Sequence, residues 1–148
     1  MYPTLNNGDL LIASKLDYRL HAPERGDIVI MRDPVDPGRE FIKRVIGLPG
    51  DRISIKNGHV FVNRVELEEP YLRAGQTAPN WSAPAQAMEE VVPENRYFVL
   101  GDNRDHSSDS RMFGSVTRDG IEGRAVVRFW PFSRLEFLNV RPYLAHER

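Results

Sequence analysis

No segment of this chain sustains an apolar repeat of 3.6 residues, and 11 prolines are spread along it. Together these rule out long amphipathic helices, because each internal proline removes a helical hydrogen bond and clashes with the preceding turn. What remains are short runs rich in Val, Ile and Phe: DLLIASKL (9–16), GDIVIMRD (26–33), FIKRVIG (41–47), RYFVLGD (96–102) and AVVRFWPF (125–132), each bounded by Gly, Pro, Asn or Asp. Such runs read as strands. The clearest is the hairpin DRISIKNGHVFVN (51–63), in which Asn57-Gly58 predicts a two-residue type I′ turn. That turn sets Ile55 opposite Val60 and Ile53 opposite Val62, giving one consistently apolar face. The expected fold is mainly β, an antiparallel, barrel-like core. A Pro- and Ala-rich stretch, PYLRAGQTAPNWSAPAQAMEEVVPEN (70–95), shows little alternation and is read as an insert or small subdomain, with Trp81 as a packing anchor. At 148 residues the chain fits a single domain, 1–148, with no internal repeat.

Within the run FIKRVIGLPGD (41–51), Lys43 and Arg44 stand beside Phe41, Ile42, Val45, Ile46 and Leu48. An ammonium carried in among buried side chains loses hydration unless it is paired or neutral. Either Lys43 is a solvated residue on an edge strand, or its proton is negotiable. Composition sharpens the choice: of 20 basic residues only Lys15, Lys43 and Lys56 are lysines, the rest being arginines. Arginine cannot give up its proton in a protein, whereas a buried lysine shifts its pKa and can serve as a base.

Several classes of function are excluded. With a net charge of -1, a pI near 6.4 and scattered arginines, the chain offers no basic field for DNA or RNA. With no cysteine it has no thiolate nucleophile, disulfide or Cys-ligated zinc. His21, His59, His106 and His146 have no ligand-like spacing and read as surface residues, so neither a metal nor a Ser-His site is expected. No apolar run approaches the about 18 residues of a membrane span, and the chain as given reads as a soluble piece.

From Asp102 to Arg111 the segment VLGDNRDHSSDSRMFGSV (99–116) has no apolar residue. It reads either as a solvated loop rich in Asx and Ser turns or as a rigid polar scaffold that holds another side chain in place. MYPTL (1–5), RGDIVIMRDP (25–34), FIKRVIGLPGD (41–51) and GDNRDHSSDSRMFG (101–114), followed by GRAVVRFWPF (123–132), together resemble the boxes of type I signal peptidases, in the family's order and over almost the whole chain.

The resemblance implies a serine endopeptidase that removes amino-terminal signal peptides from exported preproteins through a Ser-Lys dyad, without cofactor, at the extracytoplasmic face of the cell membrane. It casts Lys43 as the general base and Ser107 as the hydroxyl that orients it. Arg44 with Asp102, and Asp109 with Arg111, become supporting ion pairs. Met1, Leu5, Phe41 and Ile42 fall near the shallow apolar pockets that accept small substrate residues. The partners implied are signal peptides and a membrane surface, the latter met by Phe129, Trp130 and Phe132 unless these pack in a core.

The family's nucleophilic serine directly precedes the Met-x-Pro-Thr-Leu stretch, so it is expected just before Met1, outside this sequence, together with the oxyanion-hole residues and the membrane anchor. Thr4, Ser14 and Ser54 are no replacement. The chain as given is thus expected to be inactive by truncation. The alternatives are a self-cleaving repressor-type protease, disfavoured by the Gly-Asp-Asn-Arg-Asp box, and a non-catalytic pseudopeptidase that binds extended segments by strand addition.

Overall fold

A computed structural model describes residues 1–74 and 88–138, and the backbone of 143–144. Along them run β1 (Leu10–Ser14), the single-turn helix α1 (Asp17–Leu20), β2 (Ile28–Arg32), β3 (Glu40–Gly47), β4 (Arg52–Lys56), β5 (His59–Val62), β6 (Val65–Glu68), β7 (Met88–Val91) and β8 (Arg96–Leu100). Then follow α2 (Ser110–Phe113), β9 (Val116–Thr117), β10 (Ile121–Trp130), β11 (Glu136–Phe137) and β12 (Tyr143–Leu144). The strands form two antiparallel sheets, one ordered β1-β10-β2-β3-β8-β9 with β11 on β10, the other β12-β6-β5-β4-β7.

The fold is mainly β, as the missing helical period requires. The β4–β5 hairpin has the expected register, Ile55 facing Val60 and Ile53 facing Val62, and its turn residues Asn57 and Gly58 have φ of 51° and 80°. These four apolar side chains pack with Leu67 and Val92 against Ile46, Phe98 and Leu100 of the first sheet, so the main core lies between the sheets. Two elements were less visible in sequence. Of AVVRFWPF only residues 125–130 lie in β10, which begins at Ile121; the close pass of β1 there suits Gly123, where a Cβ would lie 3.1 Å from the Ser14 carbonyl oxygen. Met88–Val91, expected inside the insert, forms an edge strand on β4 with Met88 opposite Ile55. Its two central glutamates hide the alternation. Residues 75–87, with Trp81, and His146 lie outside the described residues.

The placement of the site follows from β3. On one side β2 pairs with it from Glu40 to Arg44. On the other, β8 begins only at Arg44, opposite Leu100, and the ladder skips Ile46 as a bulge before Gly47 meets Phe98. The chain therefore leaves the sheet at Gly101, directly beside Lys43. Side chains of β3 alternate in direction: Phe41 and Val45 join a cluster with Tyr18, Val29, Met31 and Val99, while Ile42 packs with Met1, Leu5, Leu11, Ile28, Ala125 and Leu138.

A second two-residue turn joins β5 to β6, with Val62 opposite Val65 and Asn63 and Arg64 at φ of 52° and 72°. An arginine in that left-handed region is strained, since its Cβ crowds the next carbonyl. Arg64→Gly is expected to raise stability by about 0.5–1 kcal/mol, read as a higher urea midpoint at unchanged slope.

Candidate active site

Lys43 lies where one edge of β3 is open, yet only 8% of its surface is exposed, so it is a buried residue and not a solvated one. Its Nζ donates to Ser107 Oγ at 3.0 Å and lies 4.9 Å from the centre of the Phe41 ring. Burial is the main influence on the amine and lowers its pKa; Asp109, Asp102 and Asp33 oppose this by attraction, and Arg111 reinforces it. The α-amino group of Met1 is also lowered, chiefly by burial, and feels both Asp102 and Lys43. The Met1 amine thus lies within electrostatic reach of the site.

The polar segment after β8 is a scaffold rather than a solvated loop. Asp102, Arg104, Asp109, Ser110 and Arg111 are at most 3% exposed. Asp109 caps α2 by accepting from the Arg111 amide, receives the Arg111 guanidinium through Nε at 2.9 Å and Nη2 at 2.8 Å, and accepts from the Gly101 amide at 3.0 Å. Burial pushes the Asp109 carboxyl up, but Arg111, the Gly101 amide and the Ser107 hydroxyl outweigh it and hold the group below the usual carboxylate range. The Ser107 hydroxyl thus donates to Asp109 and accepts from Lys43, which fixes its direction. Gly101 permits this approach: a Cβ there would fall 2.0 Å from Ser107 Oγ.

Arg44, on the opposite face of β3, pairs with Asp102 through Nε at 2.9 Å and Nη2 at 2.8 Å. It also donates to the Gly26 carbonyl at 3.0 Å. Thr4 Oγ1 donates to Asp102, so that hydroxyl is engaged in the scaffold. Lys43, Ser107, Asp109 and Arg111 therefore form one connected group, with Arg44 and Asp102 behind it.

The four residues expected at apolar pockets are divided. Met1, Leu5 and Ile42 share one cluster, in which Leu5 is only 7% exposed, while Phe41 faces the other beside Lys43. His21, His59 and His106 are exposed. Among the described residues no three His, Cys, Asp or Glu side chains converge as metal ligands, and no helix is long and apolar enough to cross a membrane. Trp130 and Phe132 are 46% and 70% exposed, so they do not pack in a core. Sequence reading missed Glu69 and Tyr71, which touch the scaffold from the segment that follows β6. Their Pro-flanked segment, EEPYL, carries no sign of that contact.

A β-rich domain that buries a lysine amine against a serine hydroxyl, inside a scaffold of buried ion pairs, defines a narrow class. The sequence pattern of "Signal peptidase, peptidase S26" matches residues 1–130, and the chain belongs to that family. It is 45% identical to a probable signal peptidase I-2 of a Synechocystis species, over 93% of this chain and 62% of that protein. It is 43% identical to a signal peptidase I of Leptolyngbya laminosa, over 96% of this chain and 70% of the other. The crystal structure of a signal peptidase I from Enterococcus faecalis superposes with a TM-score of 0.58 at 32% identity, covering 70% of this chain and 97% of that one. The chain spans less than two thirds of the length of the Synechocystis relative.

A buried lysine has a folded pKa below its unfolded one. Between the two values the unfolded chain holds the proton that the folded chain has released, so stability rises with pH across that window. Lys43→Met is therefore expected to stabilise the chain by roughly 0.5–2 kcal/mol at pH 7. The gain should shrink as pH approaches the ordinary lysine value of about 10.4, as followed by urea unfolding at a series of pH values.

Proposed function

We propose that this chain carries the general base of a membrane-associated serine endopeptidase that removes amino-terminal signal peptides from exported preproteins, and that its nucleophile is a serine joined to Met1. The observation that carries this reading is the Lys43 amine, buried, lowered in pKa and held 3.0 Å from a serine hydroxyl that is itself fixed by a carboxylate. A neutral amine is the form that can take a proton. The Met1 side chain packs with Ile42, the neighbour of Lys43, and the Met1 nitrogen feels the charge of Lys43, which supports a residue bonded to it lying near the base.

In this reading Lys43 takes the serine hydroxyl proton as the serine oxygen bonds to the scissile carbonyl carbon. The C–N bond then breaks as the Lys43 ammonium returns the proton to the departing amine. A water, deprotonated by Lys43, next attacks the acyl ester, and the serine oxygen leaves with that proton. Ser107 orients the amine throughout. The substrate has a place to lie: from Glu40 to Lys43, β3 is paired only with β2, and among the described residues no strand occupies its other edge. An extended segment can add there by backbone hydrogen bonds.

Trp130 and Phe132, with ring centroids 5.0 Å apart, and the exposed Leu10, Leu135 and Phe137 would meet the membrane at its extracytoplasmic face, where aromatic side chains favour the interface.

Two experiments test this reading. The chain extended by a serine and roughly a dozen upstream residues, taken from its gene, is expected to cleave a preprotein whose leader ends in Ala-x-Ala, with the shortened product seen by mass spectrometry. The unextended chain is expected not to cleave, lacking both nucleophile and oxyanion donors worth about 3 kcal/mol. Cleavage should vanish in Lys43→Ala and fall about 100-fold or more in Ser107→Ala. Cutting by the unextended chain, or a folded extended chain that binds without cutting, would overturn the peptidase reading and favour a binding module. In vesicle sedimentation, Trp130→Ala and Phe132→Ala should each weaken partitioning; unchanged partitioning removes the membrane contact.

A further inference from the structure

We propose that Glu69 and Tyr71, on the chain leaving β6, are positioning residues for the Lys43–Ser107 pair, acting from there through Arg104 and Arg44; this rests on reading Lys43 as the base. Neither touches the reacting groups. Both control the backbone against which those groups are set.

Arg104 is fully buried, and a guanidinium without water must satisfy its donors on protein. Its Nη1 donates to Glu69 Oε2 at 3.0 Å and its Nη2 to Glu69 Oε1, a two-pronged contact that fixes the plane of the group. The remaining Nε donates to the Gly101 carbonyl at 3.0 Å. Glu69 is oriented in turn, because its Oε1 accepts from the Tyr71 hydroxyl at 2.7 Å. The Tyr71 ring, 8% exposed, lies 3.7 Å from the Arg44 guanidinium carbon. That guanidinium holds Asp102.

Two consecutive residues are therefore fixed from one short segment just after β6: the Gly101 carbonyl through Glu69 and Arg104, and the Asp102 side chain through Tyr71 and Arg44. Gly101 is the surface that Ser107 packs on, and a Cβ there would already overlap Oγ. The Arg104 carbonyl also receives Arg111 Nη1 at 2.9 Å, linking the same clamp to the guanidinium that neutralises Asp109. A displacement of Gly101 by well under 1 Å is enough to lengthen the Lys43–Ser107 hydrogen bond and admit water to the amine.

With only three lysines, the chain suits direct measurement. Lysine labelled with carbon-13 at Cε gives separate NMR titrations for Lys15, Lys43 and Lys56, assigned by single Lys→Arg variants. Two changes isolate the clamp. Glu69→Leu combined with Arg104→Met replaces a buried ion pair by apolar side chains, a change that folded proteins tolerate, and removes opposite charges together. Tyr71→Phe removes one hydroxyl and keeps the ring under Arg44. Neither alters Asp33, Asp102, Asp109, Arg111, the Met1 amine or Phe41, the groups that face Lys43.

In the unaltered chain Lys43 is expected to titrate below Lys15 and Lys56. In both altered chains, with the amide spectrum still that of a folded protein, its midpoint should rise by about half a unit to one unit as water reaches the amine. In the serine-extended protein the same changes should lower kcat about tenfold with KM nearly unchanged, and should move the acid limb of the pH–rate profile upward with the Lys43 midpoint. If the double replacement fails to fold, Tyr71→Phe decides. An unmoved midpoint in folded Tyr71→Phe, or in the double replacement, overturns the inference and leaves the clamp a packing feature. A lowered Lys43 that the variants do not move defeats this inference alone; a Lys43 that titrates with Lys15 and Lys56 in the unaltered chain defeats the function proposed above as well.

Discussion

The ion pair between Arg44 and Asp102 is the constraint on which the site depends. Both side chains are essentially inaccessible to water, so neither is tolerable without the other, and removing one would leave an uncompensated charge worth several kcal/mol. Five parts of the chain meet at this pair: β3 and the turn after β8 supply the charges, the carbonyl of Gly26 and the hydroxyl of Thr4 add hydrogen bonds, and Tyr71 covers the guanidinium. A buried pair of this kind is a weak source of net stability. Its effect here is geometric, because every partner must be in place for any of them to be buried. The amino-terminal segment, β3 and the chain leaving β6 are thereby registered against one another at the residue next to the lysine.

Beside that fixed charge stands a labile one. Arg44 and Lys43 are neighbours in sequence and both are buried, yet one remains a cation and the other is driven toward neutrality by loss of water. The difference is chemical. Guanidinium is delocalised and weakly hydrated, and it finds a planar carboxylate that matches its fork; the ammonium is compact, strongly hydrated and given a single hydroxyl. The same low-polarity surroundings that strengthen the Arg44 pair weaken the hold of Lys43 on its proton. An arginine-rich scaffold around a lone lysine thus separates structural from reactive charge by residue type.

Much of this was legible in the sequence. The absence of a helical period together with the Asn57-Gly58 turn led to antiparallel strands and to the register of the central hairpin, because those features act locally and a turn type dictates its own pairing. Lys43 stood out because a lysine among Phe41, Ile42 and Val45 conflicts with the rule for interior residues, and the density of charge from Asp102 to Arg111 marked the scaffold. Met88–Val91 was not legible as a strand: of its two consecutive glutamates Glu89 is exposed and Glu90 is half-buried, accepting from the Ser115 amide, and Met88 is the one apolar side chain of the strand packed on the core. Glu69 was hidden for a different reason. Its role is set by where the second sheet places the end of β6, a long-range consequence of packing that no local pattern encodes.

The bulge at Ile46 bears on how this segment can change over generations. Side chains alternate along β3, so Lys43 reaches Ser107 and Arg44 reaches Asp102 only in the present frame; a slip of one residue would, according to its direction, bring Arg44 to the hydroxyl or Lys43 to the carboxylate, and an apolar side chain to the other. The skipped pairing lies beyond both residues, between Val45 and Gly47. It resets the frame for everything that follows, which lets Ile46 enter the core between the sheets without disturbing what precedes it. On the other side the strand is preceded by the exposed turn at residues 34–39, where an added residue can loop out harmlessly. Insertions and deletions are thus open to the lineage before Glu40 and closed between there and the bulge. Across that short interval the site can evolve only by exchanging one side chain for another.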